Sequence, residues 1–344
     1  MNYEEFKNEL QEKIQSNFLQ QIDFISHIVN RTNETLDALT LRFAGQEVSC
    51  TIYPEQMYEN YKNGVSISAI ANDIAAAVSK NKYPDIPEIT PENAAKSISF
   101  SLINAEKNEQ LLKNCPYKEI HDMAAVPRWH ISDDASFLVT DRIVQMLRMT
   151  KEEVLDIAQK NTEEQSYTCQ SMKEAMREAM INEGMGEELI SDLIPTPEIP
   201  FYVLSKQNRT DGSCAILSDR FMQQAAEQTG MDEMYLIPSS RHEMLAVNPE
   251  ITGSATDARA LKEMVMSVNS DAGIMRAEDF LSNSVYKYDA KTHSISMCDN
   301  NGLFHDKSAG LDGKNLKQAG HSSIQKNMNA LENSGPVCRM AHRH

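Results

Sequence analysis

Apolar residues recur at helical spacing from the start of the chain. Tyr3, Phe6, Leu10, Ile14 and Phe18 share one face of a helix expected over 3–18. Three strand-like runs follow, at 22–29, 35–43 and 47–53, with Leu39, Leu41 and Phe43 in strict alternation and a hairpin turn at Ala44-Gly45-Gln46. Ser66 is placed to cap a helix whose buried stripe is Ile67, Ile70, Ala71, Ile74 and Val78. Three prolines within residues 84–91 then block helix continuation and mark a linker.

Beyond that break the pattern predicts a strand at 98–103, a short helix at 106–112 and strands at 125–131 and 136–140. Thr150 and Glu153 form a capping box before Val154, Ile157 and Ala158. A helix over about 171–182 carries Met172, Met176 and Met180 at i, i+4, i+8, which reads as a core face or as a groove for a partner helix. Pro195, Pro197 and Pro200 interrupt the chain again. Strands are then expected at 201–204 and 213–217 around an Asp211-Gly212 turn, followed by a helix from Ser218 to Gly230. Residues 234–237 and 244–247 read as paired strands. Ser254 or Thr256 opens a helix whose Leu261, Met264, Val265 and Val268 keep the apolar rule, and short strands near 285–288 and 294–297 close the fold. This is an α+β pattern: mixed or antiparallel sheets packed by amphipathic helices, in an N-terminal domain of residues 1–83 and a larger one of 92–304, with a polar, disordered tail over 305–344.

Charge sharpens that division. The formal net charge is −17, from 33 Lys+Arg against 50 Asp+Glu. Residues 306–344 hold six Lys/Arg and three Asp/Glu, so the tail carries +3 and the remainder −20. The acidic body repels nucleic acid and anionic membranes, which leaves the tail as the one place for a nucleic-acid contact. No apolar run approaches the ~20 residues of a membrane helix, and the N-terminus is no secretory signal. The six cysteines, widely and irregularly spaced, form no C-x-x-C pair, so thiols in a cytoplasmic location are expected. With 13 glycines and neither G-x-G-x-x-G nor G-x-x-x-x-G-K, no phosphate-cradling loop is readable, and neither a cofactor nor a metal is expected.

The candidate chemistry lies in Leu236–Val247, where apolar residues flank Ser239, Ser240, Arg241, His242 and Glu243. Ser240, His242 and Glu243 are the candidate catalytic groups, because hydroxyl, imidazole and carboxylate together support nucleophilic or acid–base chemistry. Ser239 and Arg241 are candidate ligand-binding groups for an anion. Ser240 and His242 share a face if the segment is a strand. The plainer reading is a polar turn joining two buried strands. His242-Glu243 lacks the second histidine of H-E-x-x-H, and no G-x-S-x-G elbow is present. His121 and His130 flank Trp129, the single tryptophan, which reads as a core aromatic.

Four segments carry a resemblance: Tyr61-Lys62-Asn63-Gly64-Val65 before the Ile67 helix, Leu102–Asn108, Trp129 through Glu153, and Tyr235–Glu243 with its Pro-Ser-Ser-x-His-Glu core. In this order over residues 1–290 they resemble domain-of-unknown-function family 5688. The resemblance implies a bacterial protein of gut Firmicutes, often encoded near mobile-element genes, and brings no activity with it. Two functions are therefore expected: an accessory protein that acts through a protein partner, or a small-molecule binder or hydrolase using residues 239–243.

Overall fold

In the computed structural model, residues 1–44, 49–80, 87–132, 135–194, 201–249, 258–271 and 275–305 are described. They fall into two compact units, one within residues 1–86 and one within 87–317. The turn at 45–46, the helix start at 254–256 and the tail beyond 305 lie outside the described residues.

In the first unit, Asn2 and Glu5 form a capping box that starts α1 (Tyr3–Ser16) and sets Phe6, Leu10 and Ile14 on its buried face. That stripe packs on an antiparallel sheet of order β1 (Ile22–Arg31), β2 (Glu34–Phe43) and β3 (Cys50–Ile52). Lys7 Nζ and the Tyr3 hydroxyl both donate to Asp37 on β2, at 2.8 and 2.7 Å, and pin the helix across the sheet. Two further helices, α2 (Pro54–Lys62) and α3 (Ile67–Lys80), complete the core with Ile67, Ile70 and Ile74.

The second unit begins where proline starts a helix. Pro91 sits in the first turn of α4 (Pro91–Ser97), and the Thr90 side chain caps it. Then come β4 (Ile98–Asn104), α5 (Glu109–Leu112), β5 (Lys118–Ile120), β6 (Met123–His130), β7 (Ser136–Leu138), α6 (Asp141–Leu147) and α7 (Lys151–Glu164). The remaining elements are β8 (Tyr167–Ser171), α8 (Met172–Asn182), α9 (Glu187–Leu193), β9 (Phe201–Lys206), α10 (Asp219–Thr229), β10 (Glu233–Ser240), β11 (Glu243–Val247), α11 (Ala258–Asn269), β12 (Tyr286–Asp289), β13 (Ser294–Cys298) and β14 (Phe304–His305). They build a seven-stranded antiparallel sheet of order β14-β13-β12-β10-β11-β9-β8 and a smaller sheet in which β6 pairs β4, β5 and β7. The fold is thus α+β with antiparallel sheets. Among the described residues, no helix is long and apolar enough to cross a membrane.

Residues 213–217 are not a strand. Gly212–Leu217 forms a short 3-10 helix whose six residues are all buried, wedged against β4, β9, β11, α7 and α10. A brief apolar run has no period of its own, so packing decides its form. All seven residues of β4 are buried as well. Ile98, Phe100 and Leu102 join the apolar core, and the alternate positions Ser99 and Ser101 face a buried polar layer. The serines of the β12 approach, Ser282 and Ser284, and the Tyr286 hydroxyl all donate to Asp122, tying β6 to β12. The methionine stripe of α8 is not a core face, since no residue of that helix is fully buried. Met264 and Val268 of α11 are 43% and 42% exposed, and Ala258, Leu261 and Val265 alone carry its buried side.

Candidate functional site

The segment 239–243 closes a hairpin. β10 and β11 pair antiparallel up to Ser240 opposite Glu243, with a register irregularity between Pro238 and Ser240, so Arg241 and His242 occupy the turn. The strand-face relation expected for Ser240 and His242 is therefore absent. Each polar group of the segment has its own partner. Ser239 Oγ donates to Glu243 Oε1 at 2.8 Å. Ser240 Oγ accepts the main-chain N–H of His242 at 3.0 Å, and no hydrogen bond joins it to the imidazole. His242 Nδ1 accepts the Asp211 N–H at 3.3 Å, which places the ring proton on Nε2, 3.0 Å from Asp279 Oδ1. Both ring nitrogens are thus committed, and among the described residues no base is hydrogen-bonded to Ser240 Oγ. The hydrogen bond from His242, working against burial, holds the Asp279 carboxyl below the usual carboxylate range.

Arg241 turns inward. Its Nη2 and Nε donate to Asp211 Oδ1 at 2.7 and 3.3 Å, and Ser101 Oγ donates to the same oxygen at 2.7 Å. Arg241 and Asp211 are 7% and 1% exposed. Burial works to raise the Asp211 pKa, and the Arg241 guanidinium, helped by Arg128 and the Ser101 hydroxyl, outweighs it and holds the carboxyl far below its ordinary range. Asp211 Oδ2 is buried without a hydrogen-bond partner. The Arg241 carbonyl accepts Ser213 Oγ at 2.6 Å, and its N–H donates to the Asp279 carbonyl at 2.8 Å. The hairpin turn thereby fastens three chain segments: β4, the loop entering the 3-10 helix, and residues near 279.

That loop borders an open groove of about 750 Å3. Its walls come from the end of β6 and the two residues after it (His130–Ser132), from Gln165 and Ser166, and from Lys206, Gln207, Asn208 and Thr210. Arg209 and Asp211 both adopt the left-handed region, at φ 52° and 53°, a conformation that costs ~1–2 kcal/mol for a residue with a Cβ. Lys206 is 9% exposed and lies over the Tyr167 ring at 5.7 Å. Among the described residues, no carboxylate is within ion-pair distance of it, and the groove lining includes no Asp or Glu. Ser99 Oγ accepts Gln165 Nε2 at 2.9 Å and shares a hydrogen bond with His130 Nε2, also at 2.9 Å. Burial pushes the His130 pKa down to about 4, so its ring is neutral at pH 7.

Of the five residues singled out in the sequence, the structure joins Ser239 to Glu243 and brings Arg241 and His242 to Asp211. It does not converge the five on one ligand position. Lys206, Asp211, Ser101 and Asp279 had no such prominence, because their roles arise from contacts 30 to 140 residues apart in sequence. The one available signal was Arg241 itself: a basic residue between two buried strands needs an acid.

Among known proteins, no curated protein and no solved structure matches the chain. The model of a family of unknown function, DUF5688, matches residues 3–290.

Proposed function

This chain belongs to DUF5688, a family of unknown function, and on that premise we propose that it binds a small polar molecule bearing an anionic group, held in the groove over Lys206. The observation that carries this reading is Lys206, 9% exposed and lining a groove in which no Asp or Glu stands among the described residues, in a chain with 50 Asp and Glu residues. Burying a charge without a partner is costly, and an anion supplied by a ligand removes that cost. The amides and hydroxyls of Gln165, Ser166, Asn208 and Thr210 line the same groove and offer donors and acceptors for the rest of the molecule. Residues 239–243 serve this site from behind, by fixing the Asp211 end of the loop, and act as a clamp. Binding is favoured over hydrolysis because no base among the described residues is hydrogen-bonded to Ser240 Oγ and Ser99 is 2% exposed. A cytoplasmic setting accords with five described cysteines that are all buried, with no disulfide among the described residues.

The test is calorimetry with a panel of dicarboxylates, phosphate monoesters and their uncharged amides or alcohols. An acid should bind and its uncharged counterpart should not. Lys206→Met should weaken that binding about 10- to 100-fold, the range of a lost charge-assisted hydrogen bond. Equal affinity in the variant would remove Lys206 from the site, and silence across the panel would end the proposal.

A second reading, an accessory protein that docks on a protein partner, rests on α8 and α9. Met172, Met176 and Met180 are half-buried, and Ile181, Leu189 and Leu193 are 46%, 53% and 48% exposed. Native mass spectrometry of a pull-down from the native host should retain a partner with the wild type and lose it with Met176→Glu/Leu189→Glu. A partner retained by both would place the contact elsewhere.

A further inference from the structure

Among the described residues, no strand pairs with the outer edge of the first unit's sheet. β1 is ten residues long and stands at the end of the order β1-β2-β3. Sheet edges are ordinarily protected by a charge, a proline or a bulge at their centre. Residues 24–29, Phe-Ile-Ser-His-Ile-Val, hold no proline, glycine, lysine, arginine or acid, and the β1–β2 register runs without a bulge from Ile22 opposite Phe43 to Arg31 opposite Glu34. Ile28 is 62% exposed on this strand.

The hairpin's own geometry says which groups face outward. A two-residue turn, Thr32-Asn33, is closed by the pair Arg31 and Glu34, with Asn33 at φ 64°. The closing pair of such a turn is hydrogen-bonded, and hydrogen-bonded pairs alternate along the ladder. The odd-numbered residues of β1 therefore direct their N–H and C=O groups to β2. The even-numbered ones, Phe24, Ser26, Ile28 and Asn30, direct theirs to the open edge. Any antiparallel strand that docks there must meet this alternation.

We infer that the occupant of this edge is β1 of a second copy, paired antiparallel about a twofold axis at His27. The alternation requires even-numbered residues to meet even-numbered ones, so a symmetric pairing centres on a residue and never between two. Centring on His27 places Asp23 opposite Arg31 twice, Ile25 opposite Val29 twice and Ser26 opposite Ile28 twice. Opposite charges meet at both ends and branched aliphatics meet inside, the pairs that stabilise antiparallel ladders. Arg31, whose guanidinium lies over the Tyr53 ring at 5.2 Å, stands at the correct end for that pair. The two three-stranded sheets become one continuous six-stranded sheet. The neighbouring register, centred on Ser26, sets Asp23 against Val29 and forms no cross-strand charge pair.

Light scattering after size exclusion of the full chain tests this. The wild type should elute as a dimer at micromolar concentration. Ile28→Lys, a substitution at an exposed site that places a guarding charge on the edge, should weaken dimerisation at least tenfold with an unchanged circular dichroism spectrum. Ile28→Pro removes only an outward N–H and should do the same. In a Cys338→Ser background, His27→Cys should form a disulfide-linked dimer under mild oxidation, since it would face itself in a non-hydrogen-bonded pair. Ser26→Cys should link poorly. A wild type that is monomeric throughout, a dimer that Ile28→Lys leaves intact, or His27→Cys that does not link each overturns the inference. So does a monomer that dimerises only after removal of residues 306–344, which would assign the edge to the tail.

Discussion

Gly212→Ala is expected to destabilise the second unit by roughly 3–5 kcal/mol, in the upper tail of single substitutions. A Cβ at this position would lie 2.3 Å from the His242 carbonyl oxygen, 2.5 Å from Ser205 Oγ and 2.8 Å from the Lys206 main-chain nitrogen. Two of these three atoms are backbone, so no rotamer change relieves the clash. The backbone angle at Gly212 lies outside the left-handed region, so the penalty is one of contact alone. Gly230 supplies the contrast. It ends α10 at φ 69° with nothing within 4 Å of a built Cβ, so Gly230→Ala should cost only the ~1–2 kcal/mol of a left-handed alanine. For a unit of this size, ~2–4 °C of melting temperature is lost per kcal/mol, so Gly212→Ala should melt about 6–20 °C below the wild type. A melting temperature within about 2 °C of the wild type would mean that the wedge does not hold the hairpin at this distance. The same substitution pushes on Lys206 directly, so any folded Gly212→Ala protein should also lose ligand affinity at the groove.

Where local chemistry sufficed, the chain could be read directly. Phe6, Leu10 and Ile14 are the buried stripe of α1, and Thr150 with Glu153 caps α7. Ser218 and Gly230 bracket α10, and the pairing of 234–237 with 244–247 is the β10–β11 hairpin. Elsewhere the outcome depended on what packs against the element. Pro91, at the end of the proline-rich stretch 84–91, opens a helix as Pro54 does, because proline both stops a helix and starts one. The alternation Ile98-Ser99-Phe100-Ser101-Leu102 marked a strand but gave no hint that its serine face is sealed by Arg241 and Asp211. The candidate segment was legible as a polar turn, and its cluster of functional side chains pointed to chemistry within the turn. Their partners, Asp211 and Asp279, lie 30 and 37 residues away in sequence and convert the same side chains into a clamp. The groove itself had no motif, since its lining comes from three separate stretches of the chain that only the fold brings together.

Arg241→Met should cost about 3–5 kcal/mol at pH 7, because it leaves the Asp211 carboxylate buried and uncompensated. The pH dependence separates this cause from a simple packing defect. In the wild type, the Asp211 pKa lies far below its unfolded value of ~3.9, because Arg241, Arg128 and Ser101 outweigh burial. A depressed carboxylate contributes stability that is present above the unfolded pKa and is lost as pH falls toward the folded one. With Arg241 gone, burial is opposed only by Arg128 and the Ser101 hydroxyl, so the folded pKa rises and protonation in acid relieves the variant. The gap in unfolding free energy between wild type and Arg241→Met should therefore be widest near pH 7 and should narrow as pH falls toward 3. Arg241 is also a lesser cause of the depressed Asp279 carboxyl, so its loss acts there in the same direction and narrows the gap further in acid. Urea titrations at several pH values measure the gap, and a gap that stays constant or widens in acid would remove the ion pair as its source. Asp211→Asn/Arg241→Met should recover much of the loss, because it removes the charge as well as its partner, and a double variant that costs the full sum of the singles would show that the two residues are not coupled. Because the pair also fixes the loop that borders the groove, ligand affinity should track its integrity: weak in Arg241→Met, partly restored in the double variant, with Lys206 intact in both.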